Sequence, residues 1–155
     1  MSGIKDIWLF ANNIIRTSRQ IINENLKPLD LSSAEGNILL HLLTQDQQFR
    51  QEEIVGQLDI SKPAVSRALE SLEKKNYVAR EKDPSDKRAS RVLLTEKARA
   101  IAPQIEQVYN EVFSIAAQGV SEAEIEDFIK LFGRVSESFS AARAKRRNQG
   151  GHGEC

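Results

Sequence analysis

Residues 61–95 constrain the fold most, because they start a helix sharply, stop it sharply, and then turn the chain back on itself. Ser61 can accept a hydrogen bond from a first-turn amide, and Pro63 fits a first turn, whose N–H groups lack helical partners. Val65, Leu69 and Leu72 recur at i, i+4 and i+7 and predict one buried face. Asn76 tolerates the left-handed conformation that ends a helix. Tyr77 to Glu81 and Ser90 to Leu94 then read as two short strands around a turn rich in Asp, Pro and Ser. The connection is longer than a two-residue hairpin turn, so its tip should project.

The flanking chain reads as helices. Ile4, Ile7, Trp8, Ala11, Ile14, Ile15 and Ile22 recur at helical spacing and predict one helix from about residue 4 to 25, ahead of Pro28. Ser32 and Glu35 have the spacing of a capping box, with Ile38, Leu39, Leu42 and Leu43 on the inner face of the helix that follows. A polar connection from Thr44 to Gln48 leads to a brief helix, Gln51 to Leu58, that buries Ile54, Val55 and Leu58. Beyond the hairpin, Thr95 can cap a single helix running through Ile101, Ile105, Val108, Val112 and Ile115. Gly119 and Ser121 punctuate, and Ile125, Phe128, Ile129, Phe132, Val135 and Phe139 mark a last helix. The Gly-rich end after Arg147 predicts a disordered tail.

The fold class is therefore mainly α with a small β-hairpin wing: a winged helix-turn-helix domain flanked by long dimerisation helices. The domain reading is a dimerisation helix over 1–30, the winged domain over 31–99, further dimerisation helices over 100–147 and a tail over 148–155. The first and last helices carry more apolar surface than a three-helix core needs, which predicts a two-fold homodimer. Phe128, Phe132 and Phe139 with Ile4, Trp8 and Ile15 are the interface candidates.

The 155 residues carry 22 basic and 22 acidic side chains, a balance that argues against nucleic acid until its distribution is read. Residues 62–99 hold 11 Lys/Arg against 6 Asp/Glu, a net of +5. Residues 100–142 hold 2 against 7, a net of −5, and four cations follow between Arg143 and Arg147. Segregation of this kind gives a neutral chain one basic face. The four late cations either touch phosphate or complement the end of a helix.

With Val65, Leu69 and Leu72 buried, the opposite face of that helix presents Ser61, Lys62, Pro63, Ser66, Arg67 and Glu70. A recognition helix reads base edges in the major groove with its N-terminal residues. Arg67 suits bidentate contact with guanine, and Ser61 and Ser66 suit bases or phosphates. A β tip is narrow enough for the minor groove, whose negative potential attracts arginine. Arg88 sits at that tip beside Lys87, with Asp86 placed to orient its guanidinium, while Arg80 and Arg91 lie on the stem within reach of phosphates.

The stretch "ISKPAVSRALESLEKKNYVAREKDPSDKRASRVLLT" closely resembles the recognition helix and wing of MarR-type transcriptional regulators. The most specific part is Asp86-Lys87-Arg88 followed by Val92 to Thr95, and the helix order extends the likeness over residues 4–147. Asn76 stands where the family often has Gly, and Ala98 where a Gly is usual after Leu-Thr. The resemblance implies a dimeric winged helix protein on a near-palindromic operator of double-stranded DNA, usually repressing transcription, with Arg88 in the minor groove. It also implies a small-molecule effector pocket between the dimer arm and the DNA-binding lobe, for which Trp8, His41, Tyr109 and Phe113 are the lining candidates.

Other chemistries lack their residues. No G-x-S-x-G setting exists and His41 lies among leucines, so no enzyme is expected. His41 and His152 are the only histidines, and "HGEC" at the end is no structural zinc site, so neither metal nor cofactor is expected. Cys155, the sole cysteine, excludes an intrachain disulfide. No apolar run approaches the ~18 residues of a membrane span, and the start shows no signal-peptide pattern, so a cytoplasmic protein without a membrane partner is expected.

Overall fold

The computed structural model of the chain describes residues 2–45, 47–58 and 60–150. The chain divides into two compact units, residues 1–113 and 114–155.

The first unit begins with α1 (Ser2–Leu26), followed by a 3-10 turn (Lys27–Leu29), α2 (Ser33–Gln45), β1 (Phe49–Arg50), α3 (Gln51–Leu58) and α4 (Lys62–Lys74). The hairpin strands β2 (Val78–Lys82) and β3 (Ser90–Leu94) come next, then α5 (Glu96–Ala100) and most of α6 (Ala102–Ala116). The sheet has three antiparallel strands in the order β1-β3-β2. The hairpin pairs Val78 with Leu94 and Lys82 with Ser90. Phe49 pairs with Val92 and Arg50 with Arg91. The strand at Phe49 was not expected from sequence: two residues are too few to show alternation, and only the partner strand defines them.

Each predicted cap forms. Ser32 Oγ accepts from Glu35 N at 3.3 Å, and Glu35 Oε2 accepts from Ser32 N at 2.7 Å, completing the capping box. Ser61 Oγ accepts from Ala64 N at 3.4 Å at the start of α4. Thr95 Oγ1 accepts from Ala98 N at 3.3 Å, so Ala98 leaves the start of α5 regular, its methyl wholly buried. The single helix expected after Thr95 is broken at Ile101 into α5 and α6. Pro103 explains the break, because its ring lacks the N–H that would continue the ladder and clashes with the carbonyl one turn back.

The core runs past both ends of residues 31–99. Ile22 and Leu26 of α1 and Ile105, Val108 and Tyr109 of α6 share one buried cluster with Ile38, Leu39, Leu42, Ile54, Val65, Leu69, Leu72, Val78 and Val92. By contrast Ile7, Trp8, Ile14 and Ile15 of α1 are exposed, Trp8 by 66%. The side chain of Ile4 lies outside the described part.

Asn76 ends α4 as expected, at φ 61°. Tyr77 N donates to Leu72 O at 2.9 Å and Asn76 N to Glu73 O at 3.0 Å, the paired bonds of a Schellman motif. Tyr77 and Leu72 both join the core, so the turn is sealed by apolar contact. It also moves the strand one residue later than the pattern at Tyr77 implied.

Beside this turn, Glu35 is buried and its Oε1 lies 3.0 Å from Lys75 Nζ. Burial raises the Glu35 carboxyl, but hydrogen bonds from Ser71, the Ser32 amide and Lys75, with the lysine's charge, outweigh it and hold the group below its ordinary value. A depressed folded pKa stabilises the fold above the ordinary carboxylate range and is lost as pH falls through the depressed value.

In the second unit, Gly119 turns the chain at φ 77°. Ser121 and Glu124 form another capping box, with Ser121 N donating to Glu124 Oε2 at 2.8 Å, and α7 (Glu122–Gly150) follows. Phe128 and Phe132 stack at 5.2 Å, and Phe128, Ile129, Leu131, Phe132 and Phe139 are all exposed on α7. The helix continues to Gly150, past the expected end at Arg147. The rest of the expected tail, with His152 and Cys155, lies outside the described residues.

Two stability outcomes follow. Asn76→Val should cost about 1–2 kcal/mol, because a β-branched residue disfavours left-handed backbone, while Asn76→Gly should be neutral or mildly stabilising by denaturant unfolding. Glu35→Gln should cost about 1–3 kcal/mol near neutral pH and flatten the loss of stability as pH falls through and below the ordinary carboxylate range, read as Tm against pH.

Candidate nucleic-acid interface

The apolar stripe of α4 decides what its other face offers. Val65, Leu69 and Leu72 are wholly buried, which leaves Ser61, Lys62, Pro63, Arg67 and Glu70 exposed and Ser66 half-buried. Ser61 is occupied as the cap, although its hydroxyl proton remains available. Glu70 Oε1 accepts from Lys74 Nζ at 3.0 Å, so this acid stays on its own helix.

The C-terminal end of α4 is held from several sides. Lys75 Nζ donates to Asp30 O at 2.6 Å, Lys97 Nζ to Lys75 O at 2.7 Å, and Thr95 Oγ1 to Asn76 O at 2.7 Å. The Lys97 ammonium sits 4.4 Å above the Tyr77 ring, a cation–π contact. These bonds fix the axis of α4 against α2, the hairpin and α5, so the exposed face points one way.

At the hairpin tip the backbone is closed by Ala89 N donating to Asp86 O and Asp83 N to Ala89 O, each at 3.0 Å. Asp86 does not hold the Arg88 guanidinium as expected. Its Oδ1 accepts from the Arg88 backbone amide at 2.9 Å, so it shapes the turn that carries the arginine. Lys87 and Arg88 are exposed.

The two arginines of the hairpin strands, expected within reach of phosphates, are each also engaged within the chain. Arg80 Nε lies 3.3 Å from Glu73 Oε2 of α4, close enough to pair but without hydrogen-bond geometry. Arg91 Nε lies 3.3 Å from Asp83 Oδ2. Among the described residues, Lys62, Arg67, Lys87 and Arg88 make no side-chain ion pair, nor does Lys82 at the end of β2, so the helix and the wing both carry cations open to a polyanion.

Two residues that sequence reasoning missed complete the wing. Asp83 is buried, and its Oδ1 accepts from Ser85 N at 2.9 Å and Ser85 Oγ at 2.7 Å. Its Oδ2 accepts from Arg50 Nε of β1 at 2.6 Å, and Arg50 Nη2 donates to Ser85 Oγ at 3.1 Å. The Ser85 hydroxyl and amide, then Arg50 and Arg91, push the Asp83 carboxyl far below the usual carboxylate range against the effect of burial. The Asp-Pro-Ser order signals the local turn, but nothing near Arg50 in sequence signals its partner.

The four pocket candidates stand in different settings. Trp8 and Phe113 are exposed, and His41 Nε2 is hydrogen-bonded to Gln57 Oε1 at 2.6 Å with its ring 5.1 Å from Phe49. Tyr109 is buried, its hydroxyl donating to Asn37 Oδ1, and burial pushes its pKa well above the ordinary value. An open groove of about 500 Å³ along α1 is lined by Leu9, Ile15, Arg16 and Arg19 among others, and by none of the four.

No helix among the described residues is long and apolar enough to cross a membrane. Among the same residues, no group of three or more His, Cys, Asp or Glu is placed to hold a metal.

Residues 29–89, which span α2 to the wing tip, match the model of the MarR family. The chain is similar to the transcriptional regulator SlyA, with 26% identity and a TM-score of 0.81 over 88% of this chain and 96% of the other. A MarR-family regulator from Listeria monocytogenes, complexed with a 26mer DNA, is 25% identical with a TM-score of 0.79 over 94% and 93% of the two chains. A mutant MarR from E. coli complexed with operator DNA is 24% identical with a TM-score of 0.76 over 86% and 95%. The sequence pattern of the MarR family thus lies on α2 to the wing tip, and the chain as a whole is similar in fold to transcriptional regulators of that family.

Proposed function

We propose that the chain binds duplex DNA as a homodimer, recognises a near-palindromic operator, and represses transcription from it. One observation carries this reading: within residues 61–95, Arg67 on the open face of α4 and Arg88 at the wing tip make no ion pair, while Arg80 and Arg91 on the stem are tied down. A major-groove reader and a minor-groove reader are thereby offered by one body. The DNA in two of the similar structures supports the same assignment.

In this reading Arg67 meets a guanine edge, with Ser61, Lys62, Pro63, Ser66 and Glu70 framing that contact. Arg88 enters the minor groove, Asp86 sets its backbone, and Lys87 meets phosphate. Arg80 and Arg91 act by holding the stem. Dimerisation is supported by the apolar side chains that α1 and α7 each leave in water, because large contiguous apolar patches mark interaction surfaces. A two-fold pair must hold its recognition helices ~34 Å apart, one turn of DNA. Release by a small-molecule effector rests on the family alone, and would act by changing that spacing.

Arg67→Ala should cost ~1–3 kcal/mol on a duplex selected from a random library and relax the preference at one position per half-site. Arg88→Ala should weaken the same duplex, whereas Lys87→Ala should weaken all sequences alike and flatten the salt dependence. Fluorescence anisotropy on single-base variants of the duplex separates the three patterns; a uniform loss for Arg67→Ala removes it from base reading. Phe132→Glu should shift the protein from dimer to monomer in analytical ultracentrifugation and lower operator affinity with it. A dimer that survives this change, together with Trp8→Glu, places the interface elsewhere.

A further inference from the structure

The base of the wing carries an arrangement that the DNA contacts themselves do not require. Arg50 and Arg91 are direct cross-strand partners in the β1–β3 ladder, an arrangement that sets two like charges side by side and is unfavourable alone. These two guanidiniums converge on Asp83, whose side chain is wholly buried: Arg50 Nε at 2.6 Å and Arg91 Nε at 3.3 Å from Oδ2. Arg91 Nη2 also donates to Oδ1 at 3.4 Å. The two arginine side chains are themselves 37% and 38% exposed, so they lie at the surface and are held by a carboxylate beneath it.

We infer that Asp83 is a specificity-determining positioning residue: it pins the wing to β1 and withholds Arg50 and Arg91 from the phosphate backbone. This rests on the DNA-binding reading above and deepens it. A cation that neutralises a phosphate adds affinity for every sequence equally, and steepens the salt dependence. Two such cations at the wing stem strengthen binding to any duplex and dilute the discrimination supplied by Arg67 and Arg88. Bound to Asp83, they instead fix the angle at which the tip leaves the sheet. The Ser85 hydroxyl, which donates to Asp83 and accepts from Arg50, closes the same ring at the first residues of the tip.

The test compares the full chain with three forms: Asp83→Asn, Arg50→Gln, and Asp83→Asn combined with Arg50→Gln and Arg91→Gln. Each is titrated by anisotropy, across a range of salt, on a duplex the native protein selects from a random library and on an unrelated duplex of equal length. Asp83→Asn should lose about tenfold on the selected duplex while gaining on the unrelated one. Its log–log salt slope should steepen by about 1–2 per protomer, and the triple variant should return that slope to the native value. Arg50→Gln should weaken the selected duplex and leave the slope unchanged. A slope lowered by about 0.9 per protomer in Arg50→Gln means that Arg50 already sits on a phosphate, and overturns the inference. So does a folded Asp83→Asn protein with native slopes on both duplexes. If Asp83→Asn does not fold in a thermal melt, Arg50→Gln decides alone, since that side chain is partly exposed. Native protein that selects no duplex at all sinks the DNA reading instead, an outcome distinct from a native binder with the wrong slopes.

Discussion

The left-handed turn at Asn76 carries the geometry on which the functional face depends. It ends α4 at a defined residue, and Tyr77 returns its amide to Leu72 while its ring enters the core. Lys75 ties that end to Asp30 and Glu35, and Lys97 and Thr95 bond its last carbonyls from the far side of the hairpin. A helix of thirteen residues exposes one face only if its roll about its own axis is fixed. Burial of Val65, Leu69 and Leu72 sets that roll, and the clasp at the C-terminal end sets the tilt. The N-terminal end, where Ser61 to Arg67 face outward, then has a direction determined by contacts far from any ligand.

Electrostatics sorts the cations in a way that net charge conceals. The chain is neutral, yet residues 62–99 are basic, and around the sheet and α4 the structure divides five arginines into two groups. Arg50, Arg80 and Arg91 meet carboxylates at the sheet; Arg67 and Arg88 do not. Paired guanidiniums at a partly exposed surface contribute modestly to stability and lose freedom of movement. Unpaired ones keep their charge available. The division follows position: the strand arginines meet Asp83 or Glu73, and those on the helix face and the turn tip make no ion pair.

Much of this was legible before the structure. Ser61, Asn76, Thr95 and the Ser32/Glu35 pair are local signals, and each forms the cap its chemistry implies. The exposed face of α4 was legible too, because three buried residues at fixed spacing define the rest. What escaped has a common cause. β1 exists only through its pairing with β3, and the Arg50–Asp83 contact joins residues far apart in the chain. Asp86 was misread because two bonds compete for its oxygen, and the amide two residues on is always within reach while a guanidinium must be ordered to compete. Pro103 carries the signal for the break at Ile101, but the apolar period continues undisturbed across it and masks it.

The same network bears on how such a lobe can be regulated. Arg80 of β2 pairs with Glu73 of α4, and Val78 and Val92 of the wing share the core with Leu69 and Leu72 of the helix. Helix and wing therefore form one body, and close-packed cores do not deform continuously. A signal that loosened the wing alone would have to break the Asp83 cluster, and one that tilted α4 alone would have to break the clasp at Lys75. Both are costlier than moving the whole lobe as a rigid unit. In the proposed homodimer, control of DNA affinity would then be more economical between two copies than within one, through the distance separating their α4 helices.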